Sequence, residues 1–207
     1  ITLAAAVSGS EKKFVKLMNK RAEEIGCTNT NFTNASGIEE KNHYSTAADV
    51  VKIAKEALSN KELLRIAGTS KYILPKTNKS ESRDLENSNY FLEGGKAKID
   101  PSGNTVSVKK YKGVFGGKTG TTLARKATMV VGCEFDGLDV YVAVLDSTVA
   151  KRYADVKKLL DYAKENISSY EAFPKGQEFD KGKLKGGATN RIEGVAAEAG
   201  IVNLPEG

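Results

Sequence analysis

The sequence predicts an α+β fold in which helices pack on the faces of an antiparallel sheet. Segments with apolar residues at helical spacing occupy both ends of residues 1–167, and a β-rich segment, Gly113–Leu145, lies between them. Within that segment, Asp136-Gly137 is typical of a hairpin turn, so the strands that it joins run antiparallel. The 207-residue chain is 40% hydrophobic and 28% charged, which excludes a wholly disordered or fibrous protein.

Two helices are predicted at the start of the chain. Ile1–Val7 looks like the second half of a buried helix whose first half is missing. Glu11–Gly26 carries apolar residues at helical spacing and charged residues on the opposite face. Ser10 is the expected N-cap of this helix, and Gly26 is its expected C-terminal stop.

A long loop separates these helices from the next elements. Cys27–Tyr44 is rich in Asn, Thr, Ser and Gly without periodicity, which predicts an ordered loop. The next elements are expected to be a helix over Ala47–Leu58 capped by Ser45 or Thr46, a short helix over Lys61–Ala67, and an edge strand over Ser70–Leu74. Pro75–Lys112 is polar and is predicted to be the least ordered stretch, with a short strand at Thr105–Val108.

The β-rich segment Gly113–Leu145 predicts three adjacent antiparallel strands, and its last strand, Val140–Leu145, is apolar enough to be buried on both faces. An amphipathic helix over Lys151–Asn166 completes a first domain, predicted to span residues 1–167. From Ser168 onward, Gly, Lys and short apolar pairs predict the beginning of a β-rich domain over residues 168–207. So few residues in short strands cannot easily form a core alone.

Charge and rare residues exclude several function classes. The net charge is +6, but most basic residues alternate with acidic ones, which indicates a solvated surface and argues against a nucleic-acid partner. An anionic bacterial wall or lipid leaflet fits this charge equally well. The single histidine, His43, argues against a multi-histidine metal site. Two cysteines, Cys27 and Cys133, do not make a disulfide framework, although the sequence allows a single disulfide between them.

The most informative motif is Gly116–Thr122, which reads Gly-Gly-Lys-Thr-Gly-Thr-Thr. A phosphate-binding loop would need glycine at position 112, where this chain has Lys112, and would open a helix, whereas β-type sequence follows. A glycine-rich strand entry with an exposed lysine is the plain structural interpretation. The remaining interpretation is the Lys-Thr-Gly element of penicillin-recognising serine enzymes, in which the lysine lies on a strand beside the active site.

The surrounding sequence favours the last interpretation, because several ordered segments resemble the low-molecular-weight D-alanyl-D-alanine carboxypeptidases. The similar segments are Gly9–Ala22, a helix after the family's second motif; Asn29–Asn34, Gly37 and His43–Ala47, its characteristic loop; Asn87–Asn89, before the Lys-Thr-Gly strand; and Val140–Leu145, the neighbouring strand. The tail resembles the start of the family's C-terminal β domain. The resemblance covers nearly the whole chain and implies the serine β-lactamase/DD-peptidase architecture.

The resemblance implies roles for four consecutive residues. Lys118 is the catalytic candidate, since its ammonium supplies positive charge to the substrate carboxylate and to the catalytic serine network. Thr119 can hydrogen-bond that carboxylate, and Gly120 lets the substrate backbone approach the strand. The next backbone N–H, at Thr121, can serve an oxyanion hole. Thr121 stands where the family often has a bulkier residue, so side-chain contacts to substrate are in doubt there. No metal or organic cofactor is implied.

The family's other two motifs, S-x-x-K with the nucleophilic serine and S-x-N, are not found in the expected setting. By the resemblance they belong to a missing N-terminal segment, in the same protein or as a separate chain. Ser10–Lys13 and Ser107–Lys110 match S-x-x-K formally, and Ser102–Asn104 matches S-x-N. Their order or surroundings are wrong, so we interpret all three as chance matches.

The complete protein is therefore expected to be a serine-type D-Ala-D-Ala carboxypeptidase that trims the terminal D-alanine from peptidoglycan stem peptides through an acyl-enzyme. β-Lactam antibiotics would be its covalent inhibitors, and the family works outside the cytoplasmic membrane. A β-lactamase or related serine hydrolase, and a non-catalytic cell-wall-binding module, remain as alternatives. His43 could be a general base, but its family match implies a structural loop residue. Arg125 could help to hold a carboxylate, although a surface or supporting role is favoured, and Cys133 is expected to be a small core residue.

Overall fold

A computed structural model describes residues 1–122, 126–183 and 191–205 of the chain. The chain forms two compact units, Ile1–Leu160 and Asp161–Gly207. The helix α5 (Arg152–Asn166) contains the division between them. The sequence instead places a domain boundary after residue 167, just beyond this helix, and the extents of the domains in the complete protein stay a prediction.

The helices predicted before the sheet all form. They are α1 (Thr2–Ser8), α2 (Glu11–Glu24), α3 (Ala47–Ser59) and α4 (Lys61–Ala67). Polar side chains cap three of them, which satisfies backbone N–H groups that have no partner within the helix. The Ser10 side chain accepts from the N–H of Lys13, and Thr46 accepts from that of Asp49. The Asn60 side chain does the same at the start of α4.

The central sheet has three antiparallel strands in the order β5 (Val114–Thr121), β6 (Lys126–Phe135) and β7 (Leu138–Thr148), as predicted. The predicted turn at Asp136-Gly137 joins β6 to β7, and both residues have positive φ angles of 49° and 83°. In the register of β5 and β6, Lys118 lies opposite Val130 and Thr119 lies opposite Met129. Alternate residues of β5 therefore belong to different faces of the sheet.

Helices cover both faces of this sheet. On one face α3 packs against β6 and β7, and α4 packs against β5. Gly116 belongs to that face, since a Cβ there would lie 3.2 Å from the Leu58 side chain. The other face carries the main core, to which α5 contributes its predicted apolar stripe. The buried residues of that core are Phe91, Ala97, Val108, Met129, Val131, Cys133, Val142, Tyr153, Val156 and Leu160.

The polar stretch Pro75–Lys112 is more regular than its composition predicts. It contains β2 (Arg83–Glu86), β3 (Gly95–Lys98) and β4 (Thr105–Val108). The strand β1 (Lys71–Leu74) pairs with β2, and β3 pairs with β4. The edge strand predicted over Ser70–Leu74 is β1, and within the polar stretch only β4 was predicted, because ribbons of four-residue strands carry too few apolar positions to show a period. The stretch also supplies Phe91, Ala97 and Val108 to the core.

The first helix forms, and its apolar residues Leu3 and Val7 are 83% and 72% exposed, as is 69% of Ile1, which precedes the helix. This exposure fits the expectation of half a buried helix whose other half is missing. The expected burial of β7 on both faces is wrong, because in its apolar segment only Val142 is buried and its neighbours are half-buried. Cys133, as predicted, is a core residue, and no disulfide joins it to the buried Cys27.

The second unit is rich in strands, as the sequence predicts from Ser168 onward. Its strands are β8 (Ile167–Phe173), β9 (Glu178–Lys183), β10 (Arg191–Val195) and β11 (Gly200–Pro205). They form two antiparallel pairs, β8 with β11 and β9 with β10. In the described parts of both units, no helix is long and apolar enough to cross a membrane.

Candidate active site

The Lys-Thr-Gly segment lies on β5, at the edge of the central sheet. On one side β5 pairs with β6, and on its other side no strand of the described chain pairs with it. The side chain of Lys118 is exposed on the face of α3 and α4, and its Nζ donates to the carbonyl oxygen of Thr119 at 2.5 Å. Thr119 belongs to the opposite face and is 8% exposed. The strand thus presents an ammonium on one face and a hydroxyl on the other.

Two glycines of the motif are required by close packing. A Cβ at Gly117 would lie 2.3 Å from the carbonyl oxygen of Val130, well inside van der Waals contact with a fixed backbone atom. A Cβ at Gly120 would lie 2.5 Å from Oγ1 of Thr128. A larger residue at Gly117 would push β5 away from β6, and one at Gly120 would force the Thr128 side chain to move. The two glycines therefore allow β5 to pair closely with β6.

A second segment, Asn87–Asn89, borders β5. The Oγ atoms of Ser88 and Thr119 form a hydrogen bond of 2.5 Å. The side-chain amide of Asn87 donates to the carbonyl oxygens of Ala67 and Thr69, which fixes the segment to the end of α4. This is the segment that the sequence analysis placed before the Lys-Thr-Gly strand, and the structure brings the two together.

Tyr153, the second residue of α5, holds the Asn87–Asn89 segment in place. The Tyr153 hydroxyl donates to the carbonyl oxygen of Ser88 at 2.6 Å. Burial raises the pKa of the Tyr153 phenol, so the group stays protonated at neutral pH and keeps its donor. The sequence predicted Tyr153 only as part of an apolar helical stripe. Its polar contact spans residues too far apart in sequence for any local pattern to show it.

Arg152, at the start of α5, is a buried cation beside the motif. Its residue is 6% exposed, and its Nη1 donates to the Gly120 carbonyl oxygen at 3.2 Å and to Thr121 Oγ1 at 3.1 Å. Its guanidinium carbon lies 5.1 Å from the centre of the Tyr153 ring. The buried Nε has no partner, and no carboxylate in the described residues forms an ion pair with the group. A buried charge without a counter-ion is costly, so the arrangement is suited to an anionic ligand.

No sequence pattern predicted Arg152 as a site residue. The one local signal is electrostatic, because a cation in the first turn of a helix faces the positive end of the helix dipole. Such a position is unfavourable unless the charge has another use. Arg125, the arginine that the sequence did consider, lies outside the described residues.

The long loop Cys27–Tyr44 reaches the end of the same strand. Thr122 Oγ1 donates to Glu39 Oε1 at 3.0 Å. Asp49 anchors the loop, since its buried carboxylate accepts from the Asn29 N–H at 2.8 Å and from Thr30 Oγ1 at 2.9 Å. Burial alone raises the pKa of Asp49, but hydrogen bonds from Asn29, Thr30 and Lys52 outweigh it and hold the pKa below its usual value.

The only histidine has a structural place in this loop, as predicted. The ring Nδ1 of His43 accepts from the backbone N–H of Thr33 at 3.2 Å, and the ring packs edge-on against Phe32. Neither contact reaches β5.

An apolar cleft of about 510 Å³ opens beside Lys118. Its walls are mostly apolar side chains of α3 and α4, and its rim includes Ser88, Gly117 and Lys118. A cleft that is apolar over most of its wall and carries a few polar groups at one end is a typical binding site. The exposed lysine of the motif and the Ser88 segment therefore border one shared opening.

Comparison with known proteins identifies the family. A model of the D-alanyl-D-alanine carboxypeptidase family matches residues 1–149. The chain belongs to this family. A Bacillus subtilis relative, D-alanyl-D-alanine carboxypeptidase DacF, is 32% identical over 199 residues, which cover 96% of this chain and 47% of the relative. The chain spans about half the length of the curated relatives it matches.

Solved structures show the same fold as this carboxypeptidase-family chain. Penicillin-binding protein 5 from Haemophilus influenzae superposes with a TM-score of 0.72 at 24% identity, over 99% of this chain and 54% of that one. PBP3 from Streptococcus pneumoniae gives a TM-score of 0.76 at 21% identity, over 99% and 58%. The predicted α+β class with a DD-peptidase-like sheet is confirmed.

The formal matches to the family's serine motifs have other structural places. The Ser10 hydroxyl caps α2, and Ser107 is exposed on β4, which pairs with β3 and not with the central sheet. Ser102 lies in the turn that the bond from Gly103 N–H to the Asp100 carbonyl oxygen closes, outside β5 and the Asn87–Asn89 segment. None of these serines has a side-chain contact with Lys118 in the described residues.

Proposed function

We propose that the full-length protein is a serine-type D-Ala-D-Ala carboxypeptidase that removes the terminal D-alanine from peptidoglycan stem peptides. The observation that carries the proposal is the edge strand β5, which presents Lys118 beside a cleft and, at Gly120 and Thr121, contacts the buried Arg152, which has no carboxylate partner among the described residues. The reaction would proceed by acylation and deacylation of a serine. Membership of the carboxypeptidase family supports this reaction over others that the same fold could host.

The two faces of β5 divide the work of binding and chemistry. The peptide would run along the free edge of β5, where the absence of a side chain at Gly120 lets its backbone come close. Its terminal carboxylate would meet the Thr119 hydroxyl and the charge of Arg152, which donates to the next two residues of the strand, Gly120 and Thr121. The N–H of Thr121 is the candidate donor to the oxyanion. The Thr121 side chain has a different role: its Oγ1 accepts a hydrogen bond from Arg152 and would help to orient the guanidinium.

Lys118 would act on the opposite face. Its ammonium lies at the rim of the apolar cleft, where a serine side chain entering the cleft would come within its field. A positive charge there stabilises the negative charge that develops on the attacking oxygen and on the substrate.

The nucleophilic serine would come from a segment that precedes Ile1 in the full-length protein. The proposal is supported by the apolar wall of the cleft and by the exposed apolar residues Ile1, Leu3 and Val7 on α1. A segment packed over these surfaces would remove them from water and bring its own polar groups to Lys118. The serine could equally reach the site on a separate chain, with the same packing.

The protein would act in the extracytoplasmic space, secreted or attached to the outer face of the membrane. There, stem peptides are accessible and trimming them contributes to peptidoglycan biosynthesis and cell shape. A net charge of +6 favours residence beside an anionic wall or membrane surface. β-Lactam antibiotics, whose carboxylate takes the place of the peptide's, would acylate the same serine.

The proposal is tested by two measurements on the full-length protein. Incubation with a stem peptide that ends in D-Ala-D-Ala should release D-alanine, and benzylpenicillin should give a stable covalent adduct detected by intact mass. Residues 1–207 alone should give no adduct, because they lack a serine in the required setting. An adduct on Ser10 or Ser107 of the isolated chain would show that the serine motif is here after all. Fast turnover of penicillin without D-alanine release would instead favour a β-lactamase, and inertness in both assays a wall-binding module.

A further inference from the structure

Ser88 and Tyr153 lie in a closed set of contacts around the motif. Tyr153 donates to the Ser88 carbonyl oxygen at 2.6 Å, and the Ser88 hydroxyl bonds Thr119 Oγ1 at 2.5 Å. Arg152 Nη2 donates to the Tyr153 hydroxyl at 3.4 Å, and Nη1 donates to the Gly120 carbonyl oxygen at 3.2 Å. The ring closes through the peptide bond between Thr119 and Gly120. The Thr119 hydroxyl is therefore held by a scaffold that begins and ends on its own strand.

A threonine hydroxyl has one proton, so the direction of its bond to Ser88 decides what else it can do. If Thr119 donates to Ser88, it has no proton left for a substrate carboxylate, which accepts hydrogen bonds only. If Ser88 donates to Thr119, the Thr119 proton is free. In the described part of the chain, Ser88 is the hydrogen-bond partner of Thr119 Oγ1, and no other acceptor competes for that proton.

We propose that Ser88 is a positioning residue: its hydroxyl donates to Thr119 Oγ1 and aims the Thr119 proton at the carboxylate of the bound peptide. This inference rests on the proposed carboxypeptidase function. Tyr153 serves the same end, because its bond to the Ser88 carbonyl fixes the backbone from which the serine side chain projects. Thr119 remains the residue that touches substrate, and Ser88 acts through it.

Two features favour a positioning role over a purely structural one. Ser88 is exposed, so water could satisfy its hydroxyl if the bond to Thr119 were lost. The rim of the cleft includes Ser88 together with Lys118, which places the serine beside the groups that would meet substrate. A hydrogen bond that runs from an exposed serine to a motif side chain is better explained by its effect on the orientation of that side chain.

The test compares penicillin acylation of the full-length protein with that of four variants. They are Ser88→Ala, Ser88→Thr, Thr119→Val and the double variant Ser88→Ala/Thr119→Val. Ser59→Ala is the control, since Ser59 is also exposed and its hydroxyl also makes a hydrogen bond, to the Glu56 carbonyl oxygen at 2.7 Å, within α3. Each protein is acylated with benzylpenicillin, which has a free carboxylate, and with its methyl ester, which has none.

We expect Ser88→Ala to slow acylation by benzylpenicillin about tenfold, the scale of one hydrogen bond to a charged group. Acylation by the methyl ester should change by less than about twofold, because the ester carries no charge for Thr119 to meet. Ser88→Thr, which keeps the hydroxyl, should restore the parental rate, and Ser59→Ala should match the parent. In the Thr119→Val background, Ser88→Ala should have no further effect.

The outcomes separate this inference from the function on which it rests. If the parental protein is not acylated at all, the proposed function fails. If the parent is acylated but Ser88→Ala keeps the parental rate, the positioning role is wrong. Equal losses for the acid and the ester, or additive effects of Ser88→Ala and Thr119→Val, would also overturn it. Partial unfolding of a variant lowers both rates together, so the acid-to-ester ratio still decides.

Discussion

The guanidinium of Arg152 donates to the carbonyl oxygen of Gly120 over 3.2 Å, and this contact connects the first turn of α5 to the end of β5. Because Arg152 is buried, its charge acts in a region where water screens little. Its acceptors here are neutral oxygens of Gly120, Thr121 and Tyr153. A carboxylate arriving at the strand end would therefore meet a positive charge that is already oriented.

Replacing Arg152 by methionine should separate ligand binding from stability. Met fills similar space without charge, so the melting temperature of the full-length protein should stay the same or rise, as buried charges are expensive to keep. The kcat/KM for a peptide with a free D-Ala-D-Ala terminus should fall by about tenfold to a hundredfold, the range for hydrogen bonds to charged groups. Thermal unfolding and D-alanine release give both values on one preparation. A large drop in melting temperature with unchanged kcat/KM would assign Arg152 to the fold alone.

Replacing Lys118 should damage acylation more than folding. In the full-length protein, Lys118→Ala should slow penicillin acylation by roughly 10²–10³-fold, the scale of losing one preorganised electrostatic group. Lys118→Arg should be less harmful, because the charge is kept although the planar group is shaped differently. Since Lys118 is exposed, neither change should move the melting temperature. Lys112→Ala, an exposed lysine shortly before β5, is the matched control. Parental acylation by Lys118→Ala would leave the motif as an ordinary glycine-rich strand entry.

The sequence predicted well those elements whose signals are local. The periods of α2 and α3 and their caps at Ser10 and Thr46 lie within a few residues of each other, as does the Asp136-Gly137 turn. The position of the Lys-Thr-Gly segment on a strand also follows from its own neighbourhood. These features need no tertiary contact to form, so composition and spacing are enough to predict them.

The residues that complete the site could not be predicted in the same way. Tyr153 meets Ser88 across 65 positions of sequence, and Arg152 meets Thr121 across 31. Each pair exists because α5 packs on the face of the sheet opposite α3, which no single segment specifies. The polar stretch around β2 and β3 was underestimated for a related reason, since its order depends on Phe91 and Ala97 entering a core built by distant strands.

Gly117→Ala should weaken the pairing of β5 with β6. Its added Cβ would lie 2.3 Å from the carbonyl oxygen of Val130 and 3.0 Å from the Cα of Val131, and both are backbone atoms that cannot rotate away. We expect the free energy of unfolding to fall by about 1–3 kcal/mol, the usual cost of overpacking. Chemical denaturation of the full-length protein measures it, with Thr105→Ala at an exposed position of β4 as the control. If the Gly117 and Thr105 variants were equally stable, β5 would not pack tightly against β6 at Gly117.

Asp49 should make the loop before α3 sensitive to acid. Its carboxylate is 2% exposed and accepts from the Asn29 N–H, from Thr30 Oγ1 and from Lys52 Nζ. These bonds outweigh the effect of burial and hold the folded-state pKa below the ordinary value of 3.8. A carboxyl with a lowered folded pKa stabilises the fold above its unfolded pKa, and this contribution is lost as the pH falls through the folded one. Asp49 should therefore stabilise the protein constantly near neutral pH and progressively less below about pH 4.

The variant Asp49→Asn tests this dependence, because it keeps the shape but removes the charge. At pH 7 the full-length Asn variant should unfold at lower denaturant concentration than the parent, since Lys52 loses its anionic partner and Asn29 and Thr30 lose a charged acceptor. The difference between the two should shrink as the pH falls below about 4, where the parental carboxylate takes up its proton. Asp84→Asn, at an exposed position of β2, should show no such convergence. Because the same loop carries Glu39, which accepts the hydrogen bond from Thr122, the Asp49 variant should also acylate more slowly at pH 7. A stability difference that stays constant from pH 7 to pH 3 would mean that Asp49 contributes through packing and not through its charge.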